Sequence, residues 1–409
     1  MTILRYLVRG LAMLAVALAS CLGNGCGHKT NIEHVRKAAK QGDAQAQNNL
    51  GVAYCDGNGV PQDYVEGVKW FRKSAEQGNA DAQNNLSTVY YDGKGVPKDD
   101  IEAIKWLRKA AEQGHAHAQN KLGIAYDRGI GVQQDYVEAI KWYRKAAEQG
   151  DVGAQANLGA SYYAGKGVPQ DYSESVKWYR KAAEQGNADA QTILGTAYHR
   201  GKGVPQDYTE AMRWYRKAAE QGNADAQMIL GTAYDRGKGV PQDYNEALRW
   251  LHKAAAQGDL NGITLLGMAY YNGHGCPKDY VEAVKWFRMA AAKGNAHAQS
   301  MLGTAYYKGE GVTQNYIEAV RLCKIAVENG GLAQSTLGVA YYEGRGVPQD
   351  YVEAYKWISI SVELGIENSE KLRDVLTAKM TPEQIAEGKK RAAEFKPKKS
   401  PAENTSNHD

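Results

Sequence analysis

Apolar side chains along this chain fall into two alternating helical stripes, and the pair of stripes returns every 36 residues. In the segment from Asn187 to Gly222, Ala190, Leu194, Ala197 and Tyr198 step by four, three and one, the spacing of one buried helical face. This predicts a first helix, A, from about Ala188 to His199. Gly201 follows it, where a glycine suits a left-handed C-cap. Gly195 lies beside the stripe, and its missing side chain lets a neighbouring helix come close. The loop from Gly201 to Pro205 cannot continue a helix, because Pro205 lacks an amide proton and biases its predecessor towards extended geometry. A second helix, B, is predicted to open at Asp207-Tyr208-Thr209-Glu210, with the Asp and Glu spaced as in a capping box, and to run to Gln221. Its apolar stripe is Tyr208, Met212, Tyr215 and Ala219.

A leucine marks each copy: Leu50, Leu86, Leu122, Leu158, Leu194, Leu230, Leu266, Leu302 and Leu337, with only the last interval shortened to 35. All eight tryptophans share one phase of helix B, where the eighth copy carries Leu322. An invariant bulky residue in every copy points to packing between repeats, and the Lys and Arg beside it to a solvated outer face. The stripes are too wide for one hairpin to bury, so copies must stack. The pattern A-x-x-x-L-G-x-x-Y, a G-x-G-V-P loop, D-x-x-E-A and A-A-x-x-G resembles the Sel-like repeat (SLR) family, a relative of the tetratricopeptide repeat. The resemblance implies an all-α fold, a right-handed α-solenoid of helix-turn-helix units. It identifies no reaction.

The repeats are expected to span residues 43–365. Before them, residues 1–20 read as a secretory signal, with Arg5 and Arg9 ahead of an apolar run too short to cross a bilayer comfortably. Leu18-Ala19-Ser20-Cys21 resembles a bacterial lipobox, which implies lipidation of Cys21 and a membrane anchor. Leu22 lacks the Asp usual for inner-membrane retention, so the expected place is the outer membrane, facing the periplasm or the cell surface. Residues 21–30 are expected to be a tether and 31–42 a capping half-repeat, with His34 at the tryptophan phase. Residues 366–395 are expected to form two capping helices, the second opening at Thr381-Pro382, and 396–409 a disordered tail.

Loss of residues 1–20 removes Arg5 and Arg9 and lowers the formal net charge from +4 to +2. That balance offers no basic field for nucleic acid. Within the repeats, Cys55, Cys276 and Cys323 stand at unrelated phases, which is no disulfide framework, though a single bridge fits the sequence.

Comparison of the copies separates constant from variable columns of helix A. One variable column runs Asn48, Asn84, Asn120, Ala156, Thr192, Met228, Thr264, Ser300 and Ser335. Seven residues on come Cys55, Tyr91, Asp127, Tyr163, His199, Asp235, Tyr271, Tyr307 and Tyr342, and next to them Asp56, Asp92, Arg128, Ala164, Arg200, Arg236, Asn272, Lys308 and Glu343. These columns share one helical face. Since helix A lines the concave side in solenoids of this class, the resemblance implies a groove with a small polar floor and a rim of Tyr, Arg and acids. Arg128, Tyr163, His199, Arg200, Asp235, Arg236, Tyr271 and Tyr307 are the candidate binding residues, of types that dominate protein interfaces.

No HExxH, GxSxG, SxxK or P-loop pattern occurs. His115 and His117 lie two apart without a third ligand, so no metal or other cofactor is expected. The favoured function is a non-enzymatic scaffold of the bacterial envelope that binds a protein or peptide. The alternative, a β-lactamase-type hydrolase, is implied only by the activity of cysteine-rich relatives.

Overall fold

The computed structural model describes residues 27–398, and every regular element in that range is a helix. The signal, Cys21 and the tail beyond residue 398 lie outside the described residues. By contact, the chain forms two compact units, Met1–Ala182 and Ala183–Asp409, and each is a solenoid of helical hairpins. Helix A spans Ala44–Asp56, Ala80–Asp92, Ala116–Arg128 and Val152–Ala164 in the first unit, and Ala188–Arg200, Ala224–Arg236, Leu260–Asn272, Ala296–Lys308 and Gln334–Glu343 in the second. Helix B spans 13 residues in every repeat, as in Tyr208–Glu220.

Most helix ends in the repeats are satisfied locally. Helix A is opened by an Asp, Asn or His side chain, such as Asn187 accepting from the Ala190 amide at 2.8 Å, and closed by a left-handed glycine such as Gly201 at φ 66°. The ninth helix A has ten residues and no side-chain cap, because the shortened interval leaves Ala333 at the capping position. Helix B is opened by the expected aspartate, with Asn315 replacing it in the eighth repeat. The expected reciprocal half of the box is missing. The Asp207 amide instead donates to the Tyr198 carbonyl at 3.0 Å, so Glu210 is released and pairs with Arg213. Only Thr381 and Gln384 form a complete capping box among the described residues.

Within a repeat, Gly195 lets helix B approach: a Cβ there would stand 2.8 Å from the Tyr215 ring. Between repeats, tryptophan is the wedge. Trp250 packs on Met212 and Tyr215 of the preceding helix B, and Trp357 on Val320 and Cys323 likewise. Trp70, Trp142, Trp214, Trp250 and Trp357 are buried, and the other three are half-buried. The lysines beside them are more than a solvated fringe. Lys73, Lys109, Lys145, Lys181, Lys217 and Lys253 each hold their ammonium 4.1–4.5 Å from a ring centroid, within cation–π range.

A buried glutamine ladder, not anticipated from sequence, runs through the seams. Gln227 donates to the Ala219 carbonyl of the preceding repeat at 3.0 Å, and its own carbonyl accepts from Gln257 at 2.8 Å. Gln47, Gln83, Gln119 and Gln191 repeat the pattern. Ile263 interrupts it in the seventh repeat. The later Gln299 and Gln334 carbonyls are buried without partners, since Asn329 and Leu364 stand where the donor glutamine would be.

The terminal hairpin faces are sealed. The first helix, Gly27–Lys40, begins inside the stretch expected to be a tether, and its Ala39 packs with Leu50 and Trp70. At the other end Ser369–Thr377 and Pro382–Glu394 close the stack, with Leu376 buried on Tyr355 and Ile358 and Phe395 edge-on to Trp357 at 4.9 Å. The start of the expected disordered tail is tied down, the Lys398 amide donating to the Glu328 carbonyl at 2.8 Å.

Gln227→Ala removes two seam hydrogen bonds, one to the Ala219 carbonyl, which keeps the Gly222 amide, and one from the exposed Gln257. It is expected to destabilise by about 1–2 kcal/mol, read as a lower midpoint of thermal unfolding by circular dichroism. Trp214→Phe removes a buried indole N–H that has no partner, so its midpoint is expected to fall far less than that of Trp214→Ala, whose cavity costs about 3–5 kcal/mol.

Candidate binding site

Helix A positions the candidate residues at its last turn, but it does not leave the expected groove floor open. Asn48, Asn84, Asn120, Met228, Thr264 and Ser300 are all buried. The next helix A lies too close for a floor: Asn85 donates to Asn48 at 3.0 Å and Asn157 to Asn120 at 2.9 Å. Four residues further along helix A, Thr196, Thr232 and Thr304 are half-buried and donate to carbonyls of their own helix at 3.0 Å. The polar floor is therefore a seam, and what remains accessible is the rim.

That rim is rigidly built. The loop glutamine pins the last turn of helix A, as Gln206 does to the His199 carbonyl and Gln170 to that of Tyr163, each at 2.8 Å. The second glycine of the G-x-G loop abuts the preceding repeat, and a Cβ on Gly275 would stand 2.4 Å from the Tyr244 carbonyl oxygen. No side chain fits there, so the loop's glycines serve stacking.

Aromatic pairs follow along the edge. Tyr163 meets Tyr172 at 5.3 Å, His199 meets Tyr208 at 5.0 Å, Tyr271 meets Tyr280 at 4.9 Å and Tyr307 meets Tyr316 at 5.1 Å, all edge to face. Tyr163 is 41% exposed. Asp235 breaks the run and pairs with His274 at 2.7 Å, whose ring stacks on Tyr244. Tyr271 and Tyr307 donate to Glu310 and Glu343 of the next repeats, and burial together with these carboxylates pushes both phenols up. Arg128, Arg200 and Arg236 are exposed. The candidates thus occupy equivalent edges in successive repeats of their own units.

The site's titratable groups are poorly suited to nucleophilic work. Burial pushes the Cys55 thiol up to about 11 and the Cys323 thiol up to about 12, and Cys276 is raised by the same cause. All three are free. Lys121 is the exception, since burial lowers it to about 8, and its ammonium donates to Thr88 at 3.0 Å. His115 caps a helix, its Nδ1 accepting from the Ala118 amide at 3.0 Å. Among the described residues no cluster of His, Cys, Asp or Glu is placed to hold a metal. An open cleft of about 480 Å³ is lined by Arg288, Tyr306 and Gln314, and Gln314 donates to the Tyr307 carbonyl at 2.9 Å.

The Sel1 repeat family matches nine consecutive segments, 44–79, 80–115, 116–151, 152–187, 188–223, 224–259, 261–295, 296–331 and 331–366. The chain belongs to the Sel1 repeat proteins. It is 38% identical to a protective antigen of uropathogenic Escherichia coli with an SLR fold, over 91% of this chain and 88% of that one, with a TM-score of 0.55. It is 37% identical to a Sel1 repeat protein from Oxalobacter formigenes, over 73% of this chain and 87% of that one, with a TM-score of 0.56. No curated protein matches. Seven of the nine matched segments begin one residue after a helix A cap, and the seventh and ninth begin within two residues of theirs, so the family unit and the structural hairpin coincide.

Burial, then Lys238 and Arg200, lowers His199 below its ordinary 6.5. The folded chain therefore holds this imidazole neutral where the unfolded chain would protonate it. Its contribution to stability is complete above about 6.5 and is lost as pH falls. An NMR titration of the intact chain is expected to place the His199 midpoint below 6.5, and His199→Gln to lessen the fall in thermal midpoint between pH 7 and pH 5.

Proposed function

We propose that this Sel1 repeat protein is a non-enzymatic interaction scaffold of the bacterial envelope, holding a protein or peptide along the rim of its helix A ends. The observation that carries this reading is the contrast between constant interior and variable edge. Leu, Trp and Gln recur at fixed phases and are engaged in packing, whereas the residue closing helix A is exposed in every repeat, from Asp56 to Glu343, and changes sign along the chain. Packing does not need that variety, and an edge of fixed aromatic rings with flexible charges beside them suits recognition. The lipobox-like Leu18-Ala19-Ser20-Cys21 supports export and anchoring through Cys21. The description of the Escherichia coli relative as a protective antigen agrees with presentation at the cell envelope.

Photo-crosslinking tests the reading. A benzophenone amino acid at Tyr163 or Tyr307 is expected to capture a discrete envelope protein, and the same probe at Lys69 or Lys285 on helix B is expected to capture none. Equal capture from both faces would remove the rim from the proposal.

A further inference from the structure

The rim is not uniform in charge, and the sixth repeat stands apart. The helix A end and loop of the sixth repeat carry Arg236 and Lys238, with Asp235 the one acid among them, and that carboxylate is already held by His274 at 2.7 Å. The surrounding acids are committed elsewhere. Asp207 and Asp243 accept backbone amides at the starts of their helices, and Glu210 and Glu246 pair with Arg213 and Arg249. Asp225 lies at the far end of the helix that carries Arg236, about 16 Å away at 1.5 Å per residue. In the eighth and ninth repeats, by contrast, the rim balances itself: Lys308 faces Glu310 at 3.9 Å and Arg345 faces Glu343 at 3.3 Å.

We infer that the rim of the fifth and sixth repeats binds an extended acidic peptide segment of the partner, whose carboxylates answer Arg236 and Lys238 while its stem lies on the Tyr208 and His199 rings. The inference rests on the scaffold reading and names the chemistry of the partner. Lys238 sits 5.4 Å from the Tyr208 ring centroid and Tyr208 meets His199 edge-on, so cation and aromatic surface are presented together. Lys238 and Arg200 also oppose the protonation of His199, after burial. Opposite charge across such an edge confers specificity and speeds encounter. Arginine adds the option of a two-pronged grip on a carboxylate.

The test uses the intact chain and a fluorescein-labelled octaglutamate peptide, followed by fluorescence anisotropy. Arg236→Gln with Lys238→Gln removes two rim charges. Lys285→Gln with Arg321→Gln removes two charges from helix B, where each is paired with a glutamate. Both double variants lower the net charge equally, and circular dichroism checks that both stay folded. The rim pair is expected to weaken binding about tenfold, and the helix B pair less than twofold. Equal weakening by the two pairs, no weakening by the rim pair, or tighter rim binding of a dodecathymidylate strand than of the peptide would overturn the inference. Crosslinks from Tyr163 or Tyr307 that survive in the rim double variant, alongside unweakened octaglutamate binding, would leave the scaffold standing and remove the acidic partner. Absence of any rim crosslink, with octaglutamate still dependent on Arg236 and Lys238, would do the reverse.

Discussion

Two helices of 13 residues cannot keep their own apolar faces from water, and the burial of one hairpin against the next is the interaction on which this molecule depends. Leu194, Leu230 and Leu266 are wholly buried by that stacking, and tryptophan fills the wedge between successive B helices. Because each contact is between neighbours, what is required of one repeat is required of all, which accounts for the near-identity of the copies. It also accounts for the two atypical ends, where Leu376 and Phe395 at one side and Ala39 at the other close faces that have no further repeat to meet.

The seams carry polar chemistry as well as packing. The glutamine ladder crosses from repeat to repeat through buried atoms, and a buried amide that keeps both its bonds fixes the register of one hairpin on the next in a way that apolar contact alone does not. Its failure after Ile263 shows the cost directly, in two glutamine carbonyls left without partners. Tryptophan shows the opposite compromise. The indole N–H groups of Trp70, Trp142, Trp214, Trp250, Trp286 and Trp357 are buried without a partner, and six of the eight rings carry a lysine three residues on over their faces, so shape and cation–π contact outweigh the lost hydrogen bond.

Rigidity of the interior is what lets the edge vary. The carbonyl of the residue at each rim position is pinned by a loop glutamine in most repeats, and the loop glycine leaves no space between neighbouring hairpins. Substitution at the last turn of helix A therefore changes charge and aromatic character without moving the backbone. The rim of the sixth repeat is cationic and that of the eighth and ninth is self-paired on the same scaffold.

Much of this was legible in the chain. The period, the helix limits, the left-handed glycines, the role of tryptophan and the two closing helices follow from local rules, because caps, turns and a 3.6-residue periodicity are decided within a few residues of one another. What the linear pattern could not decide was how near adjacent A helices come. Variable, small, polar residues such as Asn84, Asn120 and Ser300 look the same in a groove floor and in a tight seam, and only their neighbours' positions show that they are enclosed. The bonding of Gln227 to Gln257, the release of Glu210 from its box and the stacking of lysine on tryptophan were hidden for the same reason. Each is set by an atom from a different turn or a different repeat, and distance between such atoms is a property of the packed stack.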